Sequence, residues 1–339
     1  MLSVQVKLKA ILKNVTTIKR QLKPGTKFCA VVKANAYGFG AEQISHLLEP
    51  VVDCFAVANT AEGVALRRYG IRKDILVFGV TEDLATAQQH NLIITIGSVE
   101  AATALVKSNR QPRIHLAVNT DMNRFGLSSI YELRTVLQIL RHAKIEGIYT
   151  HLAYETDHLP HVEVALHKFK KYVYLCKKYF PNVLVHAGCS GVINYPPAHF
   201  DMIRIGKALY GGSHGTQTVF TVKSKIVAVK KIKPGETVGY NGEFTATKPT
   251  IIGVVGGGYT TGIQMNFKGA NFVTVDKQAC PIVGRICMDC FFIDVSHIPN
   301  PLGKTVTIIS PNAGQTVIDV AQKTNLIACN ILTGLGIKF

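Results

Sequence analysis

One repetition constrains this chain more than any other feature. Through its first two thirds, short apolar, β-branched runs recur, and most are followed by a stretch with helical periodicity. The runs are KFCAVV (27–32), CFAVA (54–58), ILVFG (75–79), LIITI (92–96), RIHLAV (113–118), IEGIYT (145–150), VLVHA (183–187) and MIRI (202–205). Amphipathic patterns lie between them at 41–49, 60–69, 98–107, 128–142 and 162–179. Uninterrupted apolar strands belong in a sheet covered on both faces, and their alternation with helices predicts parallel βαβ units. Eight such strands favour an α/β fold closed into a (β/α)8 barrel of the TIM type over an open doubly wound sheet. Ahead of them, SVQVKLKAILKNVTTIKRQL (3–22) reads as a short strand and an amphipathic helix. Lysines break every apolar stretch there, so no export leader is expected.

After GGSHGTQT (211–218) the texture changes to short β-rich runs with turn signals, including Pro-Gly at 234–235 and Asn-Gly at 241–242. A smaller, mostly antiparallel domain with a short helix near 316–323 is expected to follow the barrel. The division predicted is 1–214 and 218–339. At 47% hydrophobic, the chain has material for two cores. No apolar run approaches the roughly 18 residues that span a bilayer, so no membrane partner is expected.

The eight cysteines form no disulfide-like framework, and Cys29, Cys54 and Cys280 sit inside apolar runs. Reduced thiols in a cytoplasm are the expectation. The single C-x-x-C, Cys287 to Cys290, has no second pair, so no metal centre is predicted. The net charge of +17 could serve an anionic partner, yet the lysines are spread along the chain. The densest cluster, Lys168, Lys170, Lys171, Lys177 and Lys178, has helical spacing and reads as a solvated face. No nucleic-acid partner is expected, because no aromatic-plus-basic cluster accompanies the charge.

The chemistry is expected at the C-terminal ends of the barrel strands. AVVKANAYGFG (30–40) ends a core strand on Lys33, where a lysine snorkelling to the rim is the bland alternative. A desolvated lysine amine can form a Schiff base with an aldehyde, and pyridoxal phosphate is the common biological one. The stretch closely resembles the cofactor-lysine motif of alanine racemases. So do EGIYTHLA, HAGCSGVINYPPAHFDMIRIGKALYG, VGYN, GGGYTTG and VGRICMDCFFIDV, in order along nearly the whole chain.

The resemblance implies an amino-acid racemase that interconverts L- and D-alanine for cell-wall precursors in a bacterial cytoplasm, with pyridoxal 5′-phosphate as cofactor. Lys33 matches the Schiff-base lysine, and Tyr37, one helical turn on, would reach the cofactor phosphate. Arg204 matches the arginine facing the pyridine nitrogen. Ser190 and Gly206 match parts of the phosphate cradle. His151 matches a partner of the catalytic tyrosine, and His186 a residue packing on the cofactor. Tyr259 matches the second base, delivered from the other subunit of a head-to-tail homodimer. Arg124 matches the arginine near the substrate carboxylate, and Met288 and Asp289 match residues lining the substrate pocket. The sequence departs from the pattern at Ala117 and Asn119, where a lysine and an aspartate are usual, and at Cys189, Lys207 and Cys329. Serine or a basic amino acid remains an alternative substrate. A fold-related decarboxylase is opposed by Arg204 and Tyr259.

Overall fold

The computed structural model describes residues 2–269, 273–312 and 314–335. Two compact units divide the chain: Val15–Ala36 with Gly40–Gly206, and Met1–Asn14 with Tyr37–Phe39 and Lys207–Phe339. The opening strand β1 (Ser3–Val6) pairs with a strand of the second unit, which is why the first fourteen residues belong there.

The first unit holds eight parallel strands: β2 (Lys27–Val31), β3 (Cys54–Val57), β4 (Asp74–Val77), β5 (Ile93–Ile96), β6 (Arg113–Ala117), β7 (Ile145–Tyr149), β8 (Leu184–His186) and β9 (Met202–Ile205). Each matches one of the apolar runs read from sequence. Neighbours follow chain order from β2 to β8, and β9 pairs with β2 on the other side. The ring closes where Arg204 N–H donates to Gly188 O and Asp201 N–H to Val185 O, both at 2.9 Å.

Helices stand between the strands because the sequence starts them well. Asn59, Asp83, Ser98 and Ser129 each accept a backbone N–H three residues on, capping helices 60–68, 84–89, 99–107 and 130–139. The long helix 159–179 buries Val162, Leu166, Phe169, Tyr172 and Cys176 at helical spacing. The six-residue helix 84–89 has no clear apolar period in the sequence; its cap, Asp83, is its signal.

At the N-terminal ends of the strands lies a cavity of about 330 Å³, lined by Asp53, Cys54, Asp74, Arg113, His115 and Met202 among others. Arg113 holds this end together, reaching Asp74 at 2.5 Å and Glu146 at 2.7 Å.

The second unit is antiparallel. Its strands are β10 (Phe220–Ile232), β11 (Thr237–Val238), β12 (Phe244–Thr245), β13 (Thr250–Gly256), β14 (Val273–Val275), β15 (Gln278–Cys280), β16 (Ile282–Val283), β17 (Cys290–Asp294) and β18 (Thr305–Ile309). The thirteen-residue β10 is its spine, pairing with β1, β13 and β18, while β11 and β12 form a separate hairpin. The helix expected near 316–323 runs Val317–Thr324 behind a Thr316/Asp319 capping box. A second helix, Ala328–Leu335, follows it and carries Cys329.

Candidate active site

Lys33 stands two residues past the end of β2. The next residues turn helically, as the sequence suggested, but with the opposite hand. Ala34, Asn35, Ala36 and Tyr37 have φ of 53°, 52°, 55° and 57°. Left-handed helix is unfavourable for residues with a Cβ by roughly 1–2 kcal/mol each. A run of four is therefore held by its surroundings. Glu62 does much of the holding: one carboxylate oxygen accepts Ala34 N–H and the other Ala58 N–H, both at 2.8 Å. Asn35 Oδ1 accepts Ala41 N–H at 2.7 Å, and Ala36 N–H returns to Val32 O at 2.8 Å. The turn fixes where the Lys33 amine starts from. It also carries Tyr37 into the second unit, where its ring centroid lies 5.0 Å from that of Tyr210.

Arg204 lies on β9, and its register partner on β2 is Cys29. It is 3% exposed, deep for a guanidinium. One Nη donates to His186 Nδ1 at 2.8 Å; the other donates to Thr150 O at 2.7 Å and Ala187 O at 3.3 Å. The Tyr149 ring lies 5.2 Å below it. No carboxylate bonds to it among the described residues, and its Nε–H has no protein partner. Burial lowers its pKa, yet a guanidinium keeps its proton in proteins. A buried cation therefore presents a donor with no protein acceptor.

Behind Arg204, His186 leads to a second histidine, His115, which the sequence reading did not single out. His186 Nε2 meets His115 Nδ1 at 2.9 Å. Because Arg204 only donates, His186 must accept at Nδ1 and carry its proton on Nε2; His115 then accepts at Nδ1 and carries its own on Nε2. Both rings are neutral by this logic. Burial also pushes His115 down to about 4 and His186 well below its ordinary value. His186 stacks on Tyr149 with centroids 4.9 Å apart, and Tyr149 Oη shares a hydrogen bond with Thr95 Oγ1 at 3.0 Å. Gly147 leaves space for the His115 ring, since a Cβ there would come within 2.7 Å of it.

His151 follows β7 and is pushed down to about 3, by burial first and then by Arg204, Arg124 and Lys33. It is a neutral acceptor in a field of three cations. Ser190 and Gly206 come together, Gly206 N–H donating to Ser190 Oγ at 3.1 Å. Arg124 is exposed on the loop after β6, its guanidinium 5.7 Å from the Phe125 ring. Asn119 shapes that loop without bonding to Arg124. Its amide donates to Asn123 Oδ1 at 2.7 Å and Ser128 Oγ at 3.2 Å, and its oxygen accepts Asn123 N–H at 2.9 Å. Ala117, at the position where a lysine is usual, is buried.

Tyr259, Met288 and Asp289 lie in the second unit, and backbone bonds join them. Tyr259 N–H donates to Cys287 O at 3.0 Å, Thr260 N–H to Met288 O at 3.2 Å, and Gly257 N–H to Asp289 O at 2.7 Å. Only glycine fits at 258, where a Cβ would sit 2.2 Å from Cys287 O. Tyr259 and Met288 are 45% and 57% exposed, a pair of apolar groups left open on one loop cluster.

Known proteins resemble this chain in sequence and fold. Residues 6–214 match the family model for the alanine racemase N-terminal domain, and residues 219–339 that for the C-terminal domain. The alanine racemase of Streptococcus pyogenes serotype M2 is 35% identical over 354 aligned positions, covering 97% of this chain and 94% of its own. The biosynthetic alanine racemase of Pseudomonas aeruginosa superposes with a TM-score of 0.90 at 27% identity, over 98% of this chain and 96% of that one. The alanine racemase of Bartonella henselae, solved with covalently bound pyridoxal phosphate, gives 0.87 at 28% identity over 100% and 98%. The chain belongs to the alanine racemase family.

Proposed function

We propose that this protein interconverts L- and D-alanine, with pyridoxal 5′-phosphate held through Lys33. The observation that carries the reading is the buried, uncompensated guanidinium of Arg204, backed by two neutral histidines and keeping its Nε–H free of protein partners. A polar anionic cofactor with a ring acceptor satisfies both deficits. Its phosphate would be held by Ser190, Gly206 and Tyr37. When bound, the cofactor supplies an electron-withdrawing ring that acidifies the Cα–H of an attached amino acid.

The residues divide the remaining work. Arg204 donates toward the ring nitrogen and has no proton to give up there, so it limits electron withdrawal and disfavours side reactions such as transamination. Lys33 Nζ takes or returns the Cα proton on one face of the substrate. Tyr259 of the partner subunit serves the opposite face, with His151 as its hydrogen-bond partner and His186 packing on the cofactor. Arg124 meets the substrate carboxylate, while Met288 and Asp289 line the pocket. Exposure of Tyr259 and Met288 on one loop cluster supports a head-to-tail homodimer. Among the described residues no helix is long and apolar enough to cross a membrane. We assign the enzyme to the bacterial cytoplasm, with neither nucleic acid nor membrane as partner.

The test is direct. The holoenzyme is given L-alanine, and D-alanine is followed by chiral chromatography. D-Alanine formation that is lost in Lys33→Ala supports the proposal. A holoenzyme whose cofactor absorbance depends on Lys33 but which forms no D-alanine would refute alanine as substrate.

A further inference from the structure

Cys287 and Cys290 are the only pair with C-x-x-C spacing in the chain. Cys287 N–H donates to Cys290 O at 2.9 Å, so the two residues face each other across a tight turn tipped by Met288 and Asp289. Directly opposed residues have Cβ atoms about 4.5–5.5 Å apart, and a disulfide needs about 3.8 Å. Cys287 Sγ rests on Arg285 O at 3.7 Å, and both residues are partly exposed, whereas Cys29, Cys54, Cys176 and Cys280 are buried.

What sits on this turn gives the pair a consequence. Four hydrogen bonds tie it to the loop that carries Tyr259. Tyr259 N–H, Thr260 N–H and Gly257 N–H are three of the donors, and Thr260 Oγ1 adds a bond to Met288 O at 2.6 Å. Gly258 packs against the same backbone too closely to admit a side chain. The two segments therefore move together.

We propose that Cys287 and Cys290 form a reversible disulfide in the presence of hydrogen peroxide, and that closing it displaces Tyr259. Cys287 sulfur attacks one peroxide oxygen, the O–O bond breaks, and a sulfenic acid and one water result. Cys290 sulfur then displaces the hydroxyl as a second water, so two thiols and one peroxide give one disulfide and two waters. Peroxide is smaller than an amino acid, so a pocket open to the substrate is open to the oxidant. Formation of the bond is independent of the proposed function; its effect on turnover rests on the role given to Tyr259.

The experiment treats holoenzyme with hydrogen peroxide, blocks remaining thiols with an alkylating agent and digests with trypsin. Both cysteines fall in one peptide, Ile286–Lys304. The expected product is that peptide without alkyl groups and lighter by two hydrogens. Turnover should fall by about tenfold or more, as misplacement of a reacting group predicts, and return with dithiothreitol. Cys290→Ser should keep the activity of the untreated enzyme and lose its reversible sensitivity. A fully alkylated peptide after treatment would overturn the disulfide. A disulfide with unchanged turnover would overturn the coupling to Tyr259. Reduced enzyme without racemase activity would instead refute the proposed function, while the peptide still reports on the bond.

Discussion

Ala34→Gly tests whether the turn after Lys33 stores strain. Ala34 has φ 53° and ψ 51°, and its side chain is exposed, so removing the methyl group forfeits no packing. Relief of a left-handed residue is worth roughly 1–2 kcal/mol in the folded state. The greater freedom of glycine in the unfolded chain takes back about 0.4–1 kcal/mol. The expected balance is a gain of about 0.5–1 kcal/mol, read as a higher urea midpoint with unchanged slope. Ala36→Gly is the control. Ala36 shares the conformation but is fully buried, and its lost methyl, about 0.8 kcal/mol, cancels most of the relief. A cycle with Glu62→Ala completes the test. That change removes both acceptors of the clamp and should lower stability by about 2 kcal/mol, less in the Ala34→Gly background. If Ala34→Gly lowers stability by about 1 kcal/mol or more, or matches Ala36→Gly, the strain argument fails.

Three further outcomes follow from the site and its supports. Tyr259→Phe should stop racemisation from both enantiomers, yet retain exchange of the α-hydrogen of one enantiomer with solvent and lose that of the other; equal retention of both exchanges would sink the two-base assignment. His115 is held at about 4 in the fold and near 6.5 when unfolded, so the unfolded chain binds the extra proton between those values. Stability should therefore fall as pH drops from about 6.5 to about 4, and His115→Asn should make that slope shallower by about 1.4 kcal/mol per pH unit, measured by urea unfolding at each pH. Arg113→Ala, at the far end of the strands from Lys33, should lose about 1–3 kcal/mol by leaving Asp74 unpaired and Glu146 with Lys144 alone, with kcat unchanged; a fall in kcat without a fall in stability would contradict a purely structural role.

The barrel was legible because its signals are redundant. Most of the eight runs are apolar on consecutive residues, and most of the following helices open on a capping side chain, so periodicity and chemistry agree. Less could be read where an element depends on distant chain. Residues 2–14 look like the start of the barrel, but β1 finds its partner in β10, more than two hundred residues on. The turn at 34–37 is hidden for another reason. Alanine is the best right-handed helix former, so KANAY argues for a hand that the Glu62 clamp overrides. His115 looked like an ordinary member of RIHLAV, and only the ring of β-strands brings it to His186.

Arg204 shows how a sequence anomaly becomes chemistry. In MIRI an arginine interrupts a strand buried along its whole length, where an apolar residue would be favoured by several kcal/mol. Nothing in the fold requires a charge there. The fold answers it with neutral groups alone: two carbonyls, an aromatic face and a histidine whose tautomer the guanidinium itself dictates. A carboxylate in place of His186 would stabilise the resting protein better, but it would also spend the field that the arginine directs along its Nε–H. Neutral support keeps that field available to a bound acceptor, and the second histidine prevents His186 from turning its proton toward Arg204. The arrangement is thus poor as a stabilising device and well suited to holding an anionic ring, which is why the arginine and the histidine chain have to be read as one unit.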